Sequence, residues 1–143
     1  MTGDCVVDAS VAIKLFVLEE SSEQADKLFE QLASDPPARF YVPDLLFIEC
    51  ANILWKYVRN YGYPAENARQ DVADLQALAL RSVSTADLLA PALELALAQD
   101  ITAYDACYAA LASQLHLPLI TADLAVERKL EGTQINILIL QDL

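Results

Sequence analysis

Four acidic side chains of this sequence stand where predicted strands end or where the following helices begin. Asp8 closes an apolar strand, Glu49 lies in the second turn of a helix, and Asp105 lies in the first turn of another helix. Asp123 follows a predicted strand that ends at Thr121. Carboxylates gathered at one place repel each other unless a divalent cation lies between them, and their hard oxygens suit Mg²⁺ or Mn²⁺. These positions therefore predict a metal site at one edge of the fold.

Each acid also has a simpler structural interpretation, and for most of them that alternative stays open. Asp105 completes the capping box that starts at Thr102, and Asp123 is suited to cap the last helix. Asp8 is harder to explain in this way, because a charged residue that ends a buried strand needs a partner. No His or nearby Arg supplies one, whereas a metal ion would satisfy the charge.

Glu49 stands in an apolar setting on a helix that buries one stripe of its surface. At 100° per residue it shares an arc of about 80° with Asn52, Lys56 and Arg59, and apolar residues occupy the other side. This pattern predicts that Glu49 is turned toward the edge of the sheet. For Lys56 and Arg59, a purely solvent-exposed face remains the alternative.

The elements that position these acids alternate between strand and helix along the chain. Strands are predicted at 5–8, 40–42, 81–84, 117–121 and 135–140, and helices at 10–18, 20–33, 43–60, 65–80, 85–99, 103–115 and 123–131. Such alternation predicts a three-layer α/β/α sandwich, in which helices cover both faces of a mostly parallel sheet. The carboxyl ends of parallel strands meet at one edge of the sheet, and ligands bind there.

Length and composition predict a single domain over residues 1–143 that folds alone, since 55% of the 143 residues are apolar. No apolar run reaches the ~18 residues of a membrane span, and the first residues lack the basic segment of a secretory signal. Cys5, Cys50 and Cys107 are odd in number and flanked by apolar residues. They are interpreted as buried thiols of a protein in a reducing compartment, the cytoplasm.

The charge balance opposes one class of partner. Acidic residues outnumber basic ones by 21 to 9, which gives a net charge of −12. Non-specific attraction to nucleic acid comes from basic side chains, so tight binding of nucleic acid by this chain alone is not expected.

Four motifs together resemble a known family. The segments are VDASVAIK from Val7 to Lys14, Glu49 with Asn52, YDACYAALA from Tyr104 to Ala112, and LITAD from Leu119 to Asp123. In order and spacing they resemble the motifs of PIN-domain ribonucleases, and most of all the VapC-type toxins of bacterial toxin–antitoxin pairs. Each motif alone is weak, whereas the ordered set is specific.

The resemblance implies a single PIN-like nuclease domain with a parallel five-stranded sheet, Mg²⁺ or Mn²⁺ as cofactor, and RNA as substrate. It also implies a small antitoxin protein as partner and frequent homodimers. The family's acidic positions fall on Asp8, Glu49, Asp105 and Asp123, and its supporting polar positions fall on Ser10, Asn52 and Thr121. Metal-assisted hydrolysis of a phosphodiester suits such a site. For Ser10, the alternative is that it caps the first helix.

The family's strand order, with strand one central and strand three at the margin, gives two more expectations. Asp87 should then lie two strands away from Asp8 and take no part in the site. Asp44 should be the N-cap of its helix.

Other functions that use acids at strand ends compete with this interpretation. A phosphoryl-transfer domain with Asp8 as nucleophile needs a second acid two residues on, where this chain has Ser10. A phosphorylated receiver domain needs a lysine near the last strand, and none follows Lys129. The stronger alternative is a catalytically silent PIN-fold protein-interaction module. The only histidine, His116, is predicted to cap the end of a helix rather than to act as a base.

Trp55, Tyr57, Tyr61 and Tyr63 form a dense aromatic cluster on the pair of helices between residues 44 and 80. One interpretation is that they pack the core of this helical hairpin. The other is that some of them line an exposed groove for an antitoxin segment, because aromatic residues are enriched in interface cores. That partner should carry basic residues, since the chain is strongly acidic.

Overall fold

The computed structural model describes residues 3–143, and their elements alternate as the sequence predicts. The strands are β1 (Cys5–Val7), β2 (Phe40–Pro43), β3 (Leu80–Val83), β4 (Leu119–Thr121) and β5 (Ile137–Ile139), and the helices are α1 (Ala9–Ala12), α2 (Ser22–Glu30), α3 (Leu45–Tyr61), α4 (Ala65–Ala77), α5 (Leu89–Gln99), α6 (Ala103–Leu115) and α7 (Leu124–Lys129). Short 3₁₀ turns follow α1, α2, β3 and β5.

The strands form one parallel sheet in the order β3-β2-β1-β4-β5. Val6 of β1 pairs with Tyr41 of β2 on one side and with Leu119 of β4 on the other. Strand one is therefore central and strand three marginal, as expected, and the predicted α/β sandwich with a five-stranded parallel sheet is confirmed. This order brings the carboxyl ends of β1 and β4 next to each other.

Burial explains why the central strand is apolar. All of β1 is buried, because helices cover a parallel sheet on both faces. Helix α6 contacts both β1 and β2, and its residues from Ala106 to Ala112 are all buried. Four alanines in that stretch allow the helix to lie close to the sheet. The start of α6 is thereby held firmly over the ends of the central strands.

Several predicted boundaries are wrong. The helix predicted at 10–18 is the single turn α1 followed by a 3₁₀ turn, and the helix predicted at 65–80 ends at Ala77. The helix predicted at 85–99 is a 3₁₀ turn over Thr85–Leu88, with α5 only from Leu89. Pro91 accounts for this late start, since a residue without a backbone N–H fits only the first turn of a helix.

The three cysteines are free and buried, as the sequence predicts. No helix within residues 3–143 is long and apolar enough to cross a bilayer.

Candidate active site

Asp8 is buried at the carboxyl end of β1, where it is the N-cap of α1. Its Oδ1 accepts a hydrogen bond from the Ser10 hydroxyl at 2.5 Å and another from the Val11 backbone N–H at 3.3 Å. Asp8 thus has protein partners that the sequence does not reveal, although none of these partners is a cation. The alternative role of Ser10 as the N-cap is wrong, because Asp8 occupies that position.

Ser10 also ties the end of β4 to the end of β1. Its Oγ accepts from the Ala122 backbone N–H at 3.0 Å and lies 3.4 Å from the buried Thr121 hydroxyl. The Thr121 Oγ1 in turn accepts from the Asp123 backbone N–H at 3.1 Å. Ser10 and Thr121 therefore form a hydroxyl bridge that fixes the backbone of Asp123 relative to Asp8.

Glu49 is half-buried in the second turn of α3, and its partner comes from another helix. The Tyr108 hydroxyl of α6 donates to Glu49 Oε1 at 2.5 Å. Tyr108 is buried and stands one helical turn after Asp105. Tyr108 is not among the site residues predicted from the sequence, although its spacing of three from Asp105 places both on one face of α6.

Asp105 and Asp123 each serve a helix start, as their structural alternatives predict. The backbone N–H of Asp105 donates to Thr102 Oγ1 at 3.1 Å, which is one half of the capping box. Asp123 is the N-cap of α7, and its Oδ1 accepts from the Ala125 backbone N–H at 2.9 Å. Asp123 remains exposed, so a capping role and a ligand role are compatible there.

The pKa values of Asp8, Glu49 and Asp105 are all raised, first by burial and then by a neighbouring carboxylate. Burial raises the pKa of Asp8 to about 6 and the charge of Asp105 adds to this, while hydrogen bonds from Ser10, Thr121 and Val11 oppose it. The pKa of Glu49 is raised by burial and by Asp105, against the hydrogen bond from Tyr108.

For Asp105 the pKa is raised by burial and then by the charge of Asp123, against the hydrogen bond with Thr102. Asp105 therefore links the other three acids, since it interacts with Asp8, Glu49 and Asp123.

The donor set fits a hard divalent cation by its chemistry. Within the described part of the chain, no three His, Cys, Asp or Glu side chains lie close enough to hold one ion in common. Mg²⁺ usually takes only one or two carboxylates from a protein and keeps several waters, so direct contact with all four acids is not required. Burial and mutual repulsion of the carboxylates provide the reason for an ion to bind there.

The remaining residues singled out in the sequence lie outside this cluster. Asn52 is exposed one turn after Glu49, and both line a recess between the starts of α3 and α6. Lys56 is exposed further along α3. Arg59 is also exposed, with its guanidinium carbon 5.2 Å from the centre of the Trp55 ring. His116 caps the end of α6 in a left-handed conformation, as predicted.

The two acids expected to stay outside the site also lie elsewhere. Asp87 follows the marginal strand β3, two strands from β1. Asp44 stands at the N-cap position of α3, but its carboxylate makes no capping bond to that helix. Instead it accepts from the Thr85 backbone N–H at 2.8 Å and from the Thr85 hydroxyl at 2.5 Å. Thr85 Oγ1 takes over the cap by accepting from the Leu45 backbone N–H at 3.1 Å.

The chain is thus a parallel α/β sandwich with acidic side chains at the ends of its central strands. The family model of the PIN domain matches residues 5–129, which include all four acids. The chain belongs to the PIN-domain family, which confirms the resemblance of its motifs. It is 36% identical over 126 residues to Ribonuclease VapC3 of Pyrobaculum aerophilum, a match covering 87% of this chain and 92% of the relative.

Two solved structures show the same fold. The crystal structure of PAE2754 from Pyrobaculum aerophilum covers 99% of this chain and 87% of its own, with a TM-score of 0.69 at 23% identity. A toxin–antitoxin complex from Klebsiella pneumoniae covers 95% of this chain and 97% of its own, with a TM-score of 0.66 at 17% identity. Likeness at these identities concerns the fold alone.

Proposed function

We propose that this PIN-domain chain is a metal-dependent endoribonuclease and the toxin of a toxin–antitoxin pair. The observation that carries the proposal is the placement of the four acids at the carboxyl edge of the sheet. Asp8 and Asp123 follow the neighbouring strands β1 and β4. Glu49 of α3 is joined by a hydrogen bond to Tyr108 of α6, the helix that carries Asp105 in its first turn. The similarity to a curated VapC ribonuclease over 87% of the chain supports RNA as the substrate. No observation specifically favours the alternative, a catalytically silent protein-interaction module.

In the proposed mechanism the chain's own residues hold and orient the carboxylates. Asp8, Glu49, Asp105 and Asp123 are proposed to hold Mg²⁺ or Mn²⁺, directly or through bound water, and the ion would activate water and neutralise charge on the phosphate. Ser10 holds Asp8 by its hydroxyl, and Tyr108 holds Glu49. The bridge through Ser10 and Thr121 keeps the α7 start in register with β1. Asn52 is proposed to contact the substrate beside Glu49.

The proposed partner is a small antitoxin, and the aromatic cluster supports a surface for it. Tyr57 and Tyr63 are half-buried, and their hydroxyls donate to Glu19 and Asp71. Trp55 and Tyr61, by contrast, are 53% and 77% exposed. Tyr57 and Tyr63 therefore pack the hairpin, whereas Trp55 and Tyr61 are free to contact a partner.

An apolar groove of about 420 Å³ between α3 and α4 lies beside Trp55, lined also by Leu54, Val58, Ala68 and Val72. An amphipathic antitoxin segment would place its apolar face in this groove. Because the charged residue of the groove lining is Arg69, the basic residues of the segment would face the acidic surface outside the groove, in keeping with the charge of −12. A homodimer and a cytoplasmic location remain predictions.

The function is tested by comparing two aspartates that both follow strands. Asp105→Asn should abolish Mg²⁺- or Mn²⁺-dependent cleavage of RNA, because it removes the charge that links the other three acids. Asp87→Asn is the matched control and should keep nearly full activity, because Asp87 lies beyond the marginal strand. Cleavage is measured with purified protein free of antitoxin. Loss of cleavage in Asp87→Asn with full activity in Asp105→Asn would show that the site is not formed by the proposed acids.

A further inference from the structure

A recess of about 370 Å³ opens beside Glu49, between the start of α3 and the start of α6. Its lining consists of Leu45, Ile48, Glu49, Asn52 and Tyr104. Ile48 and Tyr104 are 66% and 61% exposed, although both are large apolar or aromatic side chains. Each is the immediate neighbour in sequence of a proposed metal ligand, since Ile48 precedes Glu49 and Tyr104 precedes Asp105.

The chemistry of the recess excludes a phosphate group as its occupant. The single charged residue of the lining is Glu49, whose carboxylate repels an anion, and the lining holds no cationic side chain. A neutral, flat group suits the remaining surface. Tyr104 offers an aromatic face, Ile48 an apolar contact, and the Asn52 amide both a donor and an acceptor.

An unpaired nucleobase combines these properties, because it is uncharged, stacks on aromatic rings and carries hydrogen-bonding edges. We propose that this recess receives an unpaired base of the RNA next to the phosphate that is cleaved, with Tyr104 as its stacking platform. The inference rests on the proposed ribonuclease function and adds to it a contact that selects single-stranded RNA. Because stacking accepts every base, Asn52 is the side chain in the recess that can distinguish one base from another.

The position of the recess also separates it from the groove between α3 and α4. That groove has no proposed metal ligand in its lining, whereas the recess contains Glu49 itself. A base seated on Tyr104 therefore belongs to the same nucleotide chain whose phosphate reaches the acids. An apolar side chain of a protein partner is the competing occupant, and the experiment separates the two.

The test uses short single-stranded RNAs that each carry one 2-aminopurine, a base whose fluorescence falls when it stacks. Binding is titrated with Ca²⁺ in place of Mg²⁺ or Mn²⁺, so that a cation is present while cleavage is slow, with wild-type protein, Tyr104→Ala and Tyr104→Phe. Wild-type protein and Tyr104→Phe should quench the probe at one position, and Tyr104→Ala should not. In cleavage assays Tyr104→Ala should raise KM by about 5-fold or more and leave kcat within about twofold.

Leu97→Ala is the control, because Leu97 is 71% exposed on α5 and outside the recess. It should match wild-type protein in both assays. Unchanged KM and unchanged quenching in Tyr104→Ala would overturn the inference while leaving ribonuclease activity intact. Failure of the proposed function would be seen instead as no cleavage by wild-type protein. A Tyr104→Ala variant that binds RNA normally and loses affinity for the antitoxin would assign the recess to the protein partner and overturn the inference.

Discussion

At the scale of single residues, Asp8 caps a helix and also carries a charge that its buried surroundings disfavour. It caps α1 and receives two hydrogen bonds, yet burial and the nearby Asp105 still raise its pKa to about 6. The capping role can be kept by asparagine, whereas the charge cannot. Replacement by asparagine therefore separates the two roles.

The raised pKa of Asp8 predicts how stability depends on pH in the absence of metal. The folded protein binds a proton at Asp8 more tightly than the unfolded chain, whose pKa is near 3.8. The stabilising contribution is thus complete below pH 4 and is lost as pH rises through about 6. Asp8→Asn should flatten this slope and stabilise the metal-free protein by about 1–3 kcal/mol at pH 7 to 8. Chemical denaturation in EDTA between pH 4 and 8 measures both effects.

Asp87→Asn serves as the control for this pH series, because it makes the same substitution at an exposed acid. A second measurement uses the cation. Added Mn²⁺ should stabilise the wild-type protein and stabilise Asp8→Asn much less, which reverses the order seen in EDTA. If the free energy of unfolding changes equally with pH in wild type and Asp8→Asn, Asp8 is not the group whose pKa is raised.

Tyr108 is predicted to position Glu49. Tyr108→Phe keeps the buried ring and removes the hydroxyl that donates to Glu49 Oε1 at 2.5 Å. The freed carboxylate should bind Mn²⁺ about tenfold more weakly, the effect expected when a group that orients a ligand is lost. Isothermal titration calorimetry with Mn²⁺ measures the change directly.

Tyr57→Phe is the matched control for Tyr108→Phe. The Tyr57 hydroxyl also donates to a carboxylate at 2.5 Å, but that carboxylate is Glu19, which is not part of the proposed site. Tyr57→Phe should leave Mn²⁺ affinity unchanged. If both variants bind Mn²⁺ as tightly as the wild-type protein, Tyr108 only fills the core.

These contacts show why the sequence alone predicts only part of the site. The sequence points to Asp8 because a charge at the end of a buried strand is rare, and that signal is local. The partner of Glu49 is 59 positions away at Tyr108, and no periodicity relates two helices so far apart. The hydroxyl bridge from Ser10 to Thr121 spans 111 positions, so it depends on strand order that only the family resemblance supplies.

At the scale of elements, the long helices α3 and α6 are predicted well and the short elements less well. Helical periodicity over many residues is a strong signal, and α6 is found at the predicted Ala103–Leu115. Strands β1, β4 and β5 have only three residues each, which is too short for an alternating pattern to set their bounds. Helix α1 is four residues long, too short for periodicity to set its bounds.

The exposed aromatic residues of α3 lead to a prediction about the partner. Trp55→Ala should weaken binding of the proposed antitoxin by about tenfold or more, because exposed aromatic side chains beside a groove are typical anchors. Tyr61→Ala should weaken it less, since Tyr61 is not part of the groove lining. The complex should cleave RNA more slowly than the free chain. Affinity is measured by calorimetry on folded variants.

Leu89→Ala is the control for the partner prediction, because Leu89 is 60% exposed on a different helix. Its affinity for the proposed antitoxin should equal that of the wild-type chain. Unchanged affinity in both aromatic variants would show that the partner does not bind at this cluster. A partner that binds and leaves cleavage untouched would contradict the proposed regulation.

At the scale of the whole molecule, the sheet order explains how a strongly acidic chain concentrates charge at one place. Placing β1 between β2 and β4 brings the chain segments after all three strands to one edge. Asp8 and Asp123 follow two of these strands directly, and Glu49 and Asp105 enter from α3 and α6. The charge of −12 then favours cations at this edge and basic partners around it.

Carboxylates at this edge are proposed to bind a divalent cation, which the protein needs in order to cleave RNA. The most direct measurement is RNA cleavage by purified Asp8→Asn beside the wild-type protein, with Mn²⁺ titrated into both and folding checked by circular dichroism. Wild-type protein should cleave RNA and bind Mn²⁺, whereas folded Asp8→Asn should lose cleavage by at least about 100-fold and bind Mn²⁺ at least about tenfold more weakly. Wild-type cleavage rates in folded Asp8→Asn would contradict the account.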